Sequence, residues 1–234
     1  MSPEQKQNIQ SSYEQLDKRI RQASDNAGRN QEQIRLIAVS KRHSAKQVRA
    51  AYQAGLKDFG ENYAQELSQK QAELHDLPLR WVFLGQLQSN KIKRLVRDAD
   101  EIMSIASFRH ACLIDQYVLE SGKSPFPVWI CVNSASEKNK GGVSFEEAPQ
   151  LAERIRAELE NLDLMGVMAI PPHELSAASS AREVPELYRR LRKLADSTGR
   201  GLLSLGMSKD LEAAICAGSD VIRIGRDLFG ERPD

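Results

Sequence analysis

Apolar and polar positions alternate along the chain with two different periods. Near the start, Ile9, Tyr13, Leu16, Ile20, Ala23 and Ala27 recur at steps of three and four, which predicts one apolar stripe on an amphipathic helix. Gly28 supplies a stop for it. Beyond that point short apolar runs predict strands over 34–39, 57–60, 80–85, 101–105, 126–132, 164–170, 202–205 and 220–224. The stretches between them predict helices near 45–54, 62–73, 89–98, 107–121, 145–160, 183–197 and 208–217, with a last short one after Gly225. Eight strands alternating with helices predict a parallel sheet, and the count predicts a closed (β/α)8 TIM barrel behind one extra N-terminal helix. An open doubly wound sheet is the competing architecture. It usually carries fewer strands, and the glycine fingerprint it needs after its first strand is missing. With no linker, low-complexity tract or break in composition, residues 1–234 read as a single domain.

Composition narrows the function classes. Thirty-three Lys and Arg against thirty-two Asp and Glu leave a net charge of +1, so nothing pulls the chain as a whole toward nucleic acid or an anionic membrane. No segment approaches eighteen apolar residues, and the first residues lack the apolar stretch of a signal peptide. Cys112, Cys131 and Cys216 are odd in number and set in apolar surroundings, the pattern of reduced, buried thiols in a cytoplasmic protein. His43, His75, His110 and His173 show no paired spacing, so a metal site is not expected.

The candidate chemistry lies at predicted strand ends. Lys41 stands just beyond Leu36-Ile37-Ala38-Val39, where desolvation favours the neutral amine and makes it a nucleophile toward an aldehyde. Its plain alternative is a strand-end lysine reaching for water. In such barrels phosphate often binds in the loops after strands seven and eight. Strand seven runs into Gly206-Met207-Ser208 with Ser208 as a helix N-cap, and strand eight into Gly225-Arg226-Asp227. Either glycine alone would serve equally well to make a tight turn. Arg223 lies within an apolar strand, in step with Val221 and Gly225, so its side chain is expected to enter the barrel and to need a strong acceptor. That acceptor is either a barrel carboxylate such as Glu61 or a ring nitrogen of a bound cofactor. An aldehyde-trapping lysine, a phosphate cradle and a ring-nitrogen arginine together are the contacts expected of pyridoxal 5′-phosphate (PLP).

Here the sequence resembles a known family. The blocks Leu36-Ile37-Ala38-Val39-Ser40-Lys41, Phe59 to Glu66, Phe83 to Lys91, Val132-Asn133 with Glu137 and Lys140-Gly141-Gly142, Gly166 to Pro171, and Leu203 to Glu212 joined to Ile222-Arg223-Ile224-Gly225 follow one another in order. In that order they resemble the pyridoxal phosphate homeostasis protein family, similar in fold to the barrel domain of alanine racemase. The resemblance implies Lys41 as the Schiff-base lysine and Arg223 facing the pyridine nitrogen. It also implies phosphate contacts at Ser208, Gly225 and the backbone of Arg226, with Gly206 and Met207 shaping the loop. Asn62 matches a polar pocket residue, and Asn90 and Met168 are expected in the pocket wall. Two positions depart from the pattern. Val82 replaces a usual histidine, and Arg226 replaces a usual Ser or Thr, which removes a hydroxyl and adds a cation.

The function so implied is a PLP-binding protein of vitamin B6 homeostasis, without robust catalysis, that buffers the cofactor or delivers it to apo-enzymes. Lys140 would be a second amine able to accept the aldehyde. Alanine racemases add a β domain after the barrel, and strand eight leaves only about ten residues here, too few for one. A monomer is accordingly expected. A weak racemase activity and a barrel lyase using Lys41 with Glu61 as acid/base stay open as alternatives.

Overall fold

The computed structural model describes residues 3–134, 141–172, 174–175 and 184–231. Eight strands, β1 (Arg35–Val39), β2 (Asp58–Glu61), β3 (Arg80–Phe83), β4 (Glu101–Ile105), β5 (Phe126–Val132), β6 (Leu162–Ala169), β7 (Leu202–Ser204) and β8 (Val221–Ile224), form a closed parallel barrel in sequence order. Among the described residues the helices are α1 (Pro3–Asn26), α2 (Ala45–Gln53), α3 (Ala64–Glu73), α4 (Ile92–Asp98), α5 (Phe108–Ser121), α6 (Glu147–Glu158), α7 (Glu186–Asp196), α8 (Leu211–Cys216) and α9 (Arg226–Phe229). Arg35 opposite Val221 and Ala38 opposite Ile224 join β1 to β8 and close the ring. The architecture is therefore the TIM barrel with one added N-terminal helix, and the open sheet is excluded.

Local sequence explains the element ends. Ser44 and Gln47 form a reciprocal capping box that starts α2, and Ser107 accepts the His110 N–H to start α5. Strand residues of one parity fill the barrel with Ile37, Val82, Met103, Trp129, Met168 and Val221, while the other parity packs outward against the helices. Leu16, Ile20 and Ala23 of the predicted stripe are buried, and α1 lies over α2, α8 and α9. Each large apolar side chain so buried contributes about 1.5–3 kcal/mol. Where the barrel strands begin, Glu101 accepts from Arg35 (2.7 Å), Arg80 (2.9 Å) and the Trp129 indole (2.5 Å). This face is tied shut by charge pairs, so the chemistry is left to the opposite end.

Candidate functional site

Lys41 sits two residues past β1 in a tight turn and is half-buried. The next residue, Arg42, has φ 64°, a left-handed conformation that is costly for a side chain other than glycine. The turn is held from behind. Lys70 of α3, only 4% exposed, donates to the Ser40 carbonyl (2.7 Å), Glu61 (2.6 Å) and Glu66 (2.7 Å). Glu61 also accepts from the Ser40 hydroxyl at 2.7 Å, and Glu66 accepts the Arg42 N–H at 2.6 Å. Both neighbours of Lys41 are thus fixed by one buried ionic network. Burial pushes the Glu61 carboxyl up to about 7 against the pull of Lys70 and Ser40, and its Oε2 is buried without a hydrogen bond. Glu61 is fully enclosed behind the turn, with its Oε1 engaged by Lys70 and Ser40.

The loops after β7 and β8 meet beside this turn. A Cβ on Gly225 would stand 3.1 Å from the Val39 carbonyl oxygen, so the absence of a side chain lets the β8 loop approach the end of β1. His43 stacks on Phe229 with centroids 4.9 Å apart, tying the Lys41 turn to α9. In the β7 loop Gly206 has φ 101°, and Asp210 accepts the Met207 N–H (2.8 Å) and the Tyr188 hydroxyl (2.5 Å). Ser208 departs from expectation. Helix α8 begins only at Leu211, and the Ser208 hydroxyl instead accepts the Asp227 N–H in the first turn of α9 at 3.4 Å, so it links the two loops and does not cap α8. The Arg226 side chain pairs with Glu231 at 3.2 Å on the surface.

Arg223 enters the barrel as its parity predicts and is 5% exposed. Its guanidinium donates to Ser204 Oγ and, at 2.8 Å, to the Ala169 carbonyl. Glu61 is engaged by Lys70, so the carboxylate alternative for Arg223 falls away. Burial lowers the guanidinium to about 10, with nearby Asp210 opposing, and it keeps its charge at neutral pH. Among the described residues its hydrogen bonds go to neutral oxygens, with the Asp210 charge near but not bonded to it, an arrangement that fits a ligand bringing an anion or a strong acceptor. Arg223 and the two loops thus suit PLP on the β7, β8 and β1 side of the mouth.

A cavity of about 330 Å³ opens at the same mouth, lined from the ends of β2 to β6, and Met168 and Ile170 of its wall flank Ala169, whose carbonyl accepts from Arg223. Asn62 and Met168 line it together with Leu84, Ser104, His110 and Asn133. Asn90 is exposed in a 3-10 turn over Ser89–Lys91 and contributes nothing to this wall. Glu137 and Lys140 lie outside the described residues. The three cysteines are free but only partly buried, less than their surroundings predicted; burial raises Cys131 to about 11. Sequence reasoning missed Lys70, Arg19 and His110. Spacing showed Lys70 and Arg19 as ordinary helix residues, and their partners are up to 208 positions away.

Known proteins resemble this chain over most of its length. The family model described as alanine racemase, N-terminal domain, matches residues 11–233. The pyridoxal phosphate homeostasis protein of Pseudomonas aeruginosa is 44% identical over 92% of this chain and 91% of its own, and that of Caenorhabditis elegans is 39% identical over 85% and 86%. Among solved structures, PipY of Synechococcus elongatus with PLP bound is 36% identical, with a TM-score of 0.71 over 85% of this chain and 93% of that one. Alanine racemase from Bartonella henselae is 14% identical with a TM-score of 0.70, covering 98% of this chain and 61% of that one, a likeness of fold alone. The chain belongs to the alanine racemase N-terminal domain family and, within it, to the pyridoxal phosphate homeostasis proteins.

Proposed function

We propose that this protein holds PLP on Lys41 as a Schiff base and serves PLP homeostasis as a carrier, without robust turnover of its own. The observation that carries the reading is Arg223, a buried guanidinium resting on neutral oxygens at the end of the barrel where Lys41 and two glycine-containing loops converge. PLP-bound PipY and the homeostasis proteins named above support it. PLP would supply an aldehyde for an amine to capture. Lys41 would be that amine, held by a turn whose flanking residues are fixed through Lys70 and Glu66. Ser208, Gly225 and the Arg226 backbone would receive the phosphate, with Gly206 and Met207 shaping their loop, and Asn62 and Met168 would border the ring. Arg223 donates a hydrogen bond but gives up no proton, so a ring nitrogen facing it stays unprotonated and the ring is a poor electron sink. That favours holding over turnover. Among the described residues no helix is long and apolar enough to cross a membrane. A cytoplasmic monomer that passes PLP to apo-enzymes is the working setting.

The test is an absorbance spectrum of protein with PLP before and after borohydride, followed by peptide mapping. The expected result is a visible Schiff-base band fixed at Lys41, lost in Lys41→Ala although that variant retains some PLP through its phosphate. Label scattered over surface lysines would sink the assignment, and steady turnover of amino acids would replace carrier by enzyme.

A further inference from the structure

Asp210 stands at the N-cap of α8, where an aspartate ordinarily accepts an N–H from the first turn of its own helix, yet its carboxylate makes no such bond. It turns back into the β7 loop instead. Asp210 is 1% exposed and both its oxygens are engaged: Oδ1 accepts the Met207 N–H at 2.8 Å and Oδ2 the Tyr188 hydroxyl at 2.5 Å. The Asp210 N–H returns to the Met207 carbonyl at 3.2 Å, which closes residues 207–210 into a small ring. Tyr188 comes from α7 and is fully buried, so a helix outside the barrel fixes the direction of the carboxylate. At the other end of the loop the Gly206 carbonyl accepts the Arg223 N–H at 3.0 Å. The loop is thus clamped at Gly206 and Asp210, both buried, while Met207 and Ser208 between them are half-buried. A carboxylate buried at this cost is spent on one loop amide and one phenol. It is not a phosphate ligand itself, because like charges repel and both oxygens are taken.

We propose that Asp210, aimed by Tyr188, is the positioning residue of the loop that receives the cofactor phosphate, acting through the Met207 amide. The inference rests on the PLP reading for its ligand. Fixing Met207 fixes the direction of the peptide that leads into Ser208, so the loop is ordered before the ligand arrives and binding costs less entropy. The pair joins α7 to this side of the mouth. Charge and geometry can be separated at this position. Asp210→Asn keeps an acceptor for the Met207 N–H and removes a negative charge from beneath the phosphate, so phosphate binding should hold or tighten. Asp210→Ala removes the acceptor as well, and Tyr188→Phe leaves the acceptor without its direction. Both should weaken the loop's hold on phosphate.

The experiment titrates inorganic phosphate, pyridoxal and PLP into the unloaded protein and into its Asp210→Asn, Asp210→Ala and Tyr188→Phe variants. Phosphate binding is read from the Met207 amide resonance of protein carrying isotopically labelled methionine, and binding of the two aldehydes from their absorbance. Phosphate and PLP are expected to bind about tenfold more weakly in Tyr188→Phe and Asp210→Ala, and as in the wild type or more tightly in Asp210→Asn. Pyridoxal, which lacks the phosphate, should bind equally in every variant. Loss of pyridoxal in step with PLP overturns the assignment, because Asp210 would then only support packing. Wild-type phosphate binding in Tyr188→Phe and Asp210→Ala, or Asp210→Asn as weak as Asp210→Ala, overturns it too. So does the lack of a saturable phosphate shift in the wild type. Tyr188→Phe keeps the buried ring, so it decides the matter if Asp210→Ala fails to fold. Failure of PLP to fix at Lys41 would count against the PLP reading alone, since the phosphate titration of unloaded protein reports the loop independently.

Discussion

Lys70 Nζ lies 2.7 Å from the carbonyl oxygen of Ser40, the residue immediately before Lys41. The same nitrogen also binds Glu61 and Glu66, so one buried ammonium joins β1, β2 and α3 beneath the Lys41 turn. Lys70→Met should therefore act twice. It takes from the buried Glu61 the cation that favours its charge, so the carboxyl must take up a proton at a cost on the order of a few kcal/mol, and it releases the turn that carries Lys41. Urea denaturation measures the first effect and the rate of Schiff-base formation with PLP the second. A variant with wild-type stability and capture rate would show that the network holds nothing.

Glu61 gives a pH signature. Its folded value of about 7 lies above the ordinary 4.5, so the folded protein binds this proton more tightly than the unfolded chain. Its contribution is fully present below about pH 4.5 and is lost as pH rises to about 7, a change on the order of 3 kcal/mol. Glu61→Gln should flatten that part of the stability profile measured by urea titration at a series of pH values. An unchanged slope would mean that another group is responsible.

Much of this was legible in the chain because barrel folds repeat a local rule. Strand β4 over 101–105 and strand β5 over 126–132 were readable from apolar runs alone, and Arg223 announced itself by sitting inside one. Strand order then brought Lys41, Gly225 and Ser208 to one side of the mouth. Ser208 was misread as a cap because local residue type cannot tell how far a turn extends before its helix begins, and here Asp210 holds that turn through the Met207 N–H. Lys70 was illegible for another reason. Its role depends on which acceptors enclose its ammonium, and that is decided by packing between separate segments.

Gly206 tests the β7 loop. At φ 101° a side chain is strained, and its Cβ would lie 2.7 Å from the Ala214 Cβ of α8. Gly206→Ala should cost about 1–3 kcal/mol and displace the loop that carries Ser208. The expected result is faster loss of PLP on dialysis with the Schiff-base band unchanged in position. Retention equal to wild type would remove this loop from the phosphate account.

Arg19 links the extra helix to the same loops. From α1 it reaches Glu212 at 2.8 and 3.1 Å, Asp227 at 2.5 Å and the Ser208 carbonyl at 3.1 Å, so one guanidinium holds both the β7 and β8 connections. Part of that side chain is open to water, and salt screening limits what the ion pairs alone contribute to about 1 kcal/mol of stability. The larger consequence is positional. With Arg19→Ala, Glu212 and Asp227 lose their shared cation, Ser208 loses a donor to its backbone, and two loops expected to receive a phosphate are no longer held together. PLP should dissociate roughly fivefold faster, equivalent to about 1 kcal/mol, while borohydride still fixes the label at Lys41. Arg19→Lys should restore only part of this, since an ammonium cannot present the planar fork that spans three acceptors. Full retention in Arg19→Ala would reduce α1 to packing over the barrel, and loss of the Lys41 label would mean that the helix supports the barrel as a whole rather than the loops.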